Sequence, residues 1–150
     1  FITLCEVAPG IIWAGGYTSG IYKINKETLS VEYFSPYLLS HVNMRPDKYI
    51  RDIVKDSRGY IWSGGYYNLK CFDLETNSAR LYPGLNSITS IVEKDKDNMW
   101  IGTANGLYLL NRNTGEYQYI EMEIGITYIN TLYQADDGLL YIGTNNVFLH

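Results

Sequence analysis

Apolar residues recur in one fixed frame at four places along this chain. The clearest copy is ITSIVEKDKDNMWIGT, residues 88–103. Counted back from Trp100, Ile88, Ile91, Val92 and Met99 stand twelve, nine, eight and one positions earlier, and Gly102 stands two positions later. The same frame fits without a gap around Trp62 (Ile50, Ile53, Val54, Ile61, Gly64) and around Trp13 (Phe1, Leu4, Cys5, Ile12, Gly15). It fits again around Tyr141 (Ile129, Leu132, Tyr133, Leu140, Gly143). Four ungapped copies make this a repeat sequence, and the period of a repeat decides the fold.

Within each copy the apolar runs are short, rich in β-branched and aromatic residues, and bounded by turn formers, which predicts strands. In the first copy residues 1–7, Ile11–Trp13, Ile21–Ile24 and Val31–Phe34 are expected to be four strands, here termed A to D, separated by Pro9-Gly10, Gly15–Gly20 and Asn25–Thr28. Asn25, Asp73 and Asn111 open the turn before strand D in the three complete copies, each followed three residues later by Thr. An Asx side chain can accept a main-chain N–H two residues on, so these are expected to be turn formers and not ligands. Ten residues before the aromatic stand Thr3, Ser90 and Thr131, and eleven before it Thr89 and Asn130. Narrow side chains suit an innermost strand where sheets converge, and Arg51 and Asp52 break the pattern in the second copy.

The steps between the aromatic anchors are 49, 38 and 41 residues. A period of about 40–50 residues with four strands per unit is that of a β-propeller. The fold expected is therefore all-β, an incomplete arc of about three and a half blades, each a four-stranded antiparallel sheet. The blades fall at approximately 1–34, 49–83, 87–121 and a truncated 127–150. Their equivalent core positions are Trp13, Trp62, Trp100 and Tyr141 with Gly15, Gly64, Gly102 and Gly143. All four aromatics are expected to be largely buried on the second strand. Residues 35–48 form an inserted crossover carrying Tyr37, Leu38, Leu39, His41, Met44, Arg45 and Pro46. An open arc leaves sheet edges and apolar faces uncovered, so the expected partners are the remaining blades of a longer chain or a second copy.

Composition removes several functional classes. A chain of 150 residues that is 46% hydrophobic and 19% charged is not disordered, and it has no apolar run of the roughly 18 residues a membrane helix needs. Phe1 opens directly on a strand pattern, with no leader visible, and no membrane contact is expected of this segment. A net charge of -4 and pI near 5.1 argue against a nucleic-acid surface. Cys5 and Cys71 stand at non-equivalent strand positions and read as buried free thiols. No metal-ligand spacing, Ser/His/Asp order or phosphate-binding glycine loop is present, so no catalytic residue, metal or cofactor is expected. The chain's two histidines, His41 and His150, lie in the insertion and at the last position.

Residues 85–120 resemble a two-component regulator propeller repeat. Trp100-Ile101-Gly102-Thr103 followed by Gly106-Leu107 matches the family pattern fully, and Tyr141-Ile142-Gly143-Thr144 matches with Tyr for Trp. Trp62-Ser63-Gly64-Gly65 and Trp13-Ala14-Gly15-Gly16 are looser, while Asp56–Gly59 and Asp136–Gly138 supply the family's turn. The resemblance covers nearly the whole chain apart from the insertion. It implies the periplasmic sensor region of a hybrid two-component histidine kinase of gut Bacteroidetes, answering to polysaccharide breakdown products without catalysis in this segment. An oligosaccharide ligand would use aromatic side chains, and Tyr17, Tyr66 and Tyr67 in the loops after the second strands, with Arg45 in the insertion, are the candidate residues. The alternatives are a protein-interaction scaffold and, third, a propeller lyase, which would need a His and a carboxylate partner.

Overall fold

The computed structural model describes residues 2–18, 20–34, 47–122, 125 and 127–145. Strands fill it, and among the described residues there is no helix. The first repeat forms β1 (Thr3–Ala8), β2 (Ile11–Gly15), β3 (Ile21–Asn25) and β4 (Val31–Phe34). The second forms β5 (Ile50–Lys55), β6 (Ile61–Gly65), β7 (Leu69–Asp73) and β8 (Ser78–Tyr82). The third forms β9 (Ile88–Glu93), β10 (Asn98–Thr103), β11 (Gly106–Asn111) and β12 (Tyr117–Ile120), and β13 (Ile129–Gln134) with β14 (Leu140–Thr144) begins a fourth. Each set is an antiparallel sheet in chain order, three of four strands and the last of two. These are propeller blades, as the period predicts. Of the inserted residues 35–48, residues 35–46, with Arg45 and His41, lie outside the described residues, as does His150.

The blades meet through their first strands, β1 on β5, β5 on β9 and β9 on β13, and the cores lie between blades. Trp13 packs with Ile50, Ile53 and Phe72 of the second blade, and Trp62 with Ile88, Ile91 and Met99 of the third. This explains a departure from expectation. Trp13 and Trp62 are 2% and 1% exposed, but Trp100 is only half-buried and Tyr141 is 56% exposed. All four occupy the same position on the second strand, yet each is covered by the following blade. Trp100 has a two-stranded blade over it, and Tyr141 has none among the described residues.

The glycine two places after each aromatic is explained by the same contact. A Cβ on Gly15, Gly64 or Gly102 would stand 2.6, 2.3 or 2.8 Å from Cγ2 of Ile50, Ile88 or Ile129 respectively. The first isoleucine of every following blade therefore enters a notch that only glycine leaves open. A second recurring link runs through the small polar residue ten before the aromatic. Thr3 Oγ1, Asp52 Oδ2 and Ser90 Oγ accept the main-chain N–H of Ile53, Ile91 and Leu132 in the next blade, at 3.3, 2.7 and 3.1 Å. The position requires a compact acceptor, a stronger condition than narrowness.

The Asx turns form as expected. Asn25, Asp73 and Asn111 each accept two main-chain N–H groups of their own turn at 2.9–3.3 Å. Four residues on, Leu29, Asn77 and Gly115 all have positive φ, of 56, 54 and 79°. Cys5 and Cys71 are free and half-buried. Burial, aided by Asp56, pushes the Cys71 thiol up to about 12, so it stays protonated and inert.

Candidate functional site

Antiparallel order places the A–B and C–D turns on one rim of the arc, and the B–C turns and blade crossovers on the other. On the first rim Arg58, Arg80 and Arg112 line a cleft of about 290 Å³ with Trp62 and Tyr82. Most of their charge is already committed. Asp56, fully buried, takes Arg112 Nη1 and Trp62 Nε1 at 2.8 Å each, and Glu93 takes Arg112 Nη2 at 2.9 Å. Arg58 bonds Asp97 and Asn113 of the next blade at 2.9 and 2.8 Å. Arg80 lies over the Tyr82 ring and bonds the Thr114 carbonyl. This rim is a clamp between the second and third blades.

The other rim holds a different kind of cleft. About 200 Å³ in volume, it is walled by Tyr49, Tyr66 and Tyr128, with Arg51, Ser87, Thr89, Ala104 and Gly65 completing it around Ile88. The repeat explains who lines it. Tyr49, Ser87 and Tyr128 are each thirteen positions before their blade's aromatic, and Arg51 and Thr89 are each eleven before. The latter position is a β-bulge. The ladder steps from Ile50 to Asp52 opposite Gly65 and Gly64, and from Ile88 to Ser90 opposite Thr103 and Gly102, leaving Arg51 and Thr89 unpaired. Asn130 is skipped likewise in the fourth blade, and its side chain meets Asn145. A bulge turns a side chain off the regular alternation and often does so beside a site.

The walls are held firmly. Tyr66 N–H donates to the Tyr49 carbonyl at 3.2 Å, Ser87 N–H to the Tyr66 carbonyl at 3.1 Å, and Ala104 N–H to the Ser87 carbonyl at 3.0 Å. Behind them Asp47 accepts the N–H groups of Tyr49 and Tyr67 at 3.1 and 3.0 Å and faces Lys70 Nζ at 3.5 Å, both side chains nearly fully buried. Burial lowers the Lys70 pKa and Asp47 partly offsets that. Arg51 Nη1 donates to the Tyr128 hydroxyl at 2.9 Å across 77 residues of sequence. The Thr89 hydroxyl, on a residue only 7% exposed, has no hydrogen-bond partner among the described residues.

Of the residues singled out in the sequence, Tyr66 lines this cleft. Tyr17 is one ring removed, edge-on to Tyr49 at 4.4 Å, and Tyr67 turns its ring edge-to-face with Tyr66 at 5.0 Å. Arg45 falls outside the described residues. The sequence pattern does not single out Tyr49, Thr89 and Tyr128 as ligand residues, and it marks Arg51 only as a break in the small-residue row. That break was the available signal. No group of three or more His, Cys, Asp or Glu residues that could hold a metal exists among the described residues.

Three segments, residues 45–67, 83–105 and 124–146, match the family model described as two component regulator propeller. Those three segments are two-component regulator propeller repeats. Every described residue lining the cleft lies within those three segments. No curated protein matches the chain. Among solved structures, the extracellular domain of a hybrid two-component system from B. thetaiotaomicron is similar over 94% of this chain, with 25% identity and a TM-score of 0.74. A second such domain from the same organism gives 22% identity over 96% of the chain and a TM-score of 0.77. The chain spans 18% and 19% of the length of those two structures. A streptogramin B lyase shares the fold at 18% identity, with a TM-score of 0.73 over 96% of this chain and 47% of its own.

Proposed function

We propose that this propeller segment is part of the extracytoplasmic sensor of a two-component system, and that it binds an oligosaccharide without turning it over. The observation that carries the reading is the tyrosine-walled cleft, built only from regulator-propeller repeats and holding an unpartnered buried hydroxyl. Sugars lay their C–H faces on aromatic rings and direct hydroxyls to polar groups, and Tyr49, Tyr66, Tyr128, Arg51, Ser87 and Thr89 offer both. Among the described residues no carboxylate or histidine lines the cleft, so they offer no member of the acid–base pair a lyase would need. The similar solved domains are described as extracellular parts of two-component systems, which supports placing the segment outside the cytoplasm, in the periplasm of such a cell. A ligand would signal by binding two arrangements of the receptor with different affinity.

The cleft draws on three blades, so closure around a sugar would alter how blades two, three and four meet. The fourth blade presents Tyr133 and Tyr141 at 64% and 56% exposure, on the side where every earlier blade is covered by the next. We infer that a further blade, or a second copy, covers it. The test is titration of the protein with oligosaccharides drawn from plant and host polysaccharides, followed by intrinsic fluorescence and by product analysis. Saturable binding that is lost in Tyr66→Ala, with the sugar recovered intact, is expected. Absence of binding to any oligosaccharide would leave the scaffold reading in its place, and a shortened or unsaturated product would restore the lyase.

A further inference from the structure

We propose that the sugar accepted by this cleft is acidic, carrying a carboxylate that seats on the Arg51 guanidinium. The inference rests on the carbohydrate reading above and adds the chemical class. Among the described residues Arg51 is the one charged side chain lining the cleft, and no carboxylate lines it. In a chain of net charge -4, and in contrast to the opposite rim, where Arg58 and Arg112 each meet an acidic side chain, this is an arginine left without a counter-charge among the described residues. The neighbouring carboxylate, Asp52, is turned to the third blade, where it accepts the Ile91 N–H at 2.7 Å. The Tyr128 hydroxyl holds only Nη1, so the guanidinium is oriented while other N–H donors remain to meet an oxyanion in the planar, forked geometry that suits a carboxylate.

The remaining lining fits the rest of such a ring. Tyr49, Tyr66 and Tyr128 give flat apolar walls, and the bulged Thr89 hydroxyl, nine-tenths buried and unpartnered, is a hydrogen-bond partner waiting for a sugar hydroxyl. At about 200 Å³ the cleft is smaller than the roughly 300–1,000 Å³ of drug-sized pockets. It has room for one ring, with the rest of an oligosaccharide extending along the rim. The recognised unit is therefore a uronate residue of a longer chain.

The experiment is calorimetric titration of the full chain with short oligosaccharides of galacturonate, guluronate and glucuronate, beside neutral oligosaccharides of galactose, mannose and glucose of equal length. At least one uronate series is expected to bind tenfold or more tightly than its neutral counterpart. That preference should shrink on raising salt from 50 to 500 mM and disappear in Arg51→Gln, whose unfolding midpoint is checked against wild type. If Arg51→Gln unfolds, methyl esterification of the uronate removes the same charge from the ligand side, and the ester should bind as weakly as the neutral sugar. Binding of neutral sugars alone, or of acid and ester alike, overturns the acidic-sugar proposal while the carbohydrate reading stands. Binding of none overturns both.

Discussion

Replacing Asp56 tests whether the blades are locked by a buried charge cluster or merely by turn chemistry. Its carboxylate receives four donors: Arg58 N–H and Tyr60 N–H at 3.0 and 2.9 Å on one oxygen, Trp62 Nε1 and Arg112 Nη1 at 2.8 Å on the other. Asp56→Ala strands the Arg112 guanidinium in a buried site, and breaking a buried pair costs about 3–5 kcal/mol. Glu93 and the Asp95 carbonyl still hold Arg112 Nη2 at 2.9 and 2.7 Å, which argues for the lower end. The orphaned indole N–H adds about 1 kcal/mol. A loss of about 4 kcal/mol is a large part of the roughly 5–15 kcal/mol that holds a domain together. Asn fits an Asx turn as well as Asp does, but whichever way its amide lies, the NH₂ group meets two donors. Asp56→Asn should therefore lose nearly as much as Asp56→Ala in urea unfolding monitored by tryptophan fluorescence. Arg112→Met should show strong coupling to either in a double-mutant cycle. A loss under about 1 kcal/mol for Asp56→Ala, or full rescue by Asn, would refute the clamp.

Four further substitutions probe the repeat frame. Burial pushes the Asp52 pKa up to about 6 against the N–H bonds from Ile91 and Ile53 that lower it, so the folded state holds this proton more tightly than the unfolded one. Stability contributed here is full below pH 4, falls between about pH 4 and 6, and above that is lower by at most about 2–3 kcal/mol. Asp52→Ser, which keeps the acceptor that Ser90 supplies one blade on, should raise the urea midpoint at pH 7 and flatten that slope. Gly64→Ala puts a methyl 2.3 Å from Ile88 Cγ2 and should cost about 1–3 kcal/mol, read in the same assay. Leu29, at φ 56° and 79% exposed, stands where the third blade has Gly115, so Leu29→Gly should gain roughly 1 kcal/mol by removing left-handed strain. Thr89→Val removes a buried hydroxyl without a partner and should hold or raise the melting temperature while weakening ligand binding.

The fold was legible because its rules are local or strictly periodic. Asn25, Asp73 and Asn111 announce their turns from within four residues, and Gly15, Gly64 and Gly102 recur because each receives an isoleucine from one period later. Burial of the aromatic anchor departs from the repeat frame for the opposite reason. The frame fixes where Trp100 and Tyr141 point, whereas exposure depends on how much of the next blade lies over them. The cleft was the least legible feature. Arg51 meets Tyr128 across two blades, and Thr89 is conspicuous only once its hydroxyl is seen to lack a partner. Tyr66 stood out as an aromatic after a Gly-Gly pair, and Tyr17 and Tyr67 shared that signal but turn against neighbouring rings.

Contrast between adjacent positions of one strand carries the functional argument furthest. Ten residues before each anchor, Thr3, Asp52 and Ser90 perform one task, accepting an N–H from the next blade, and their side chains vary only among compact acceptors. Eleven before it, in blades two to four, the bulge releases the residue from the ladder, and there the chain places Arg51, Thr89 and Asn130. A position freed from pairing can differ in charge and size from blade to blade without disturbing the interface. The propeller thus separates a constant row that joins blades from a variable row, two of whose members, Arg51 and Thr89, line the cleft. On the proposed reading, exchange of residues along this row would alter what the cleft binds while the stacking of the blades remains.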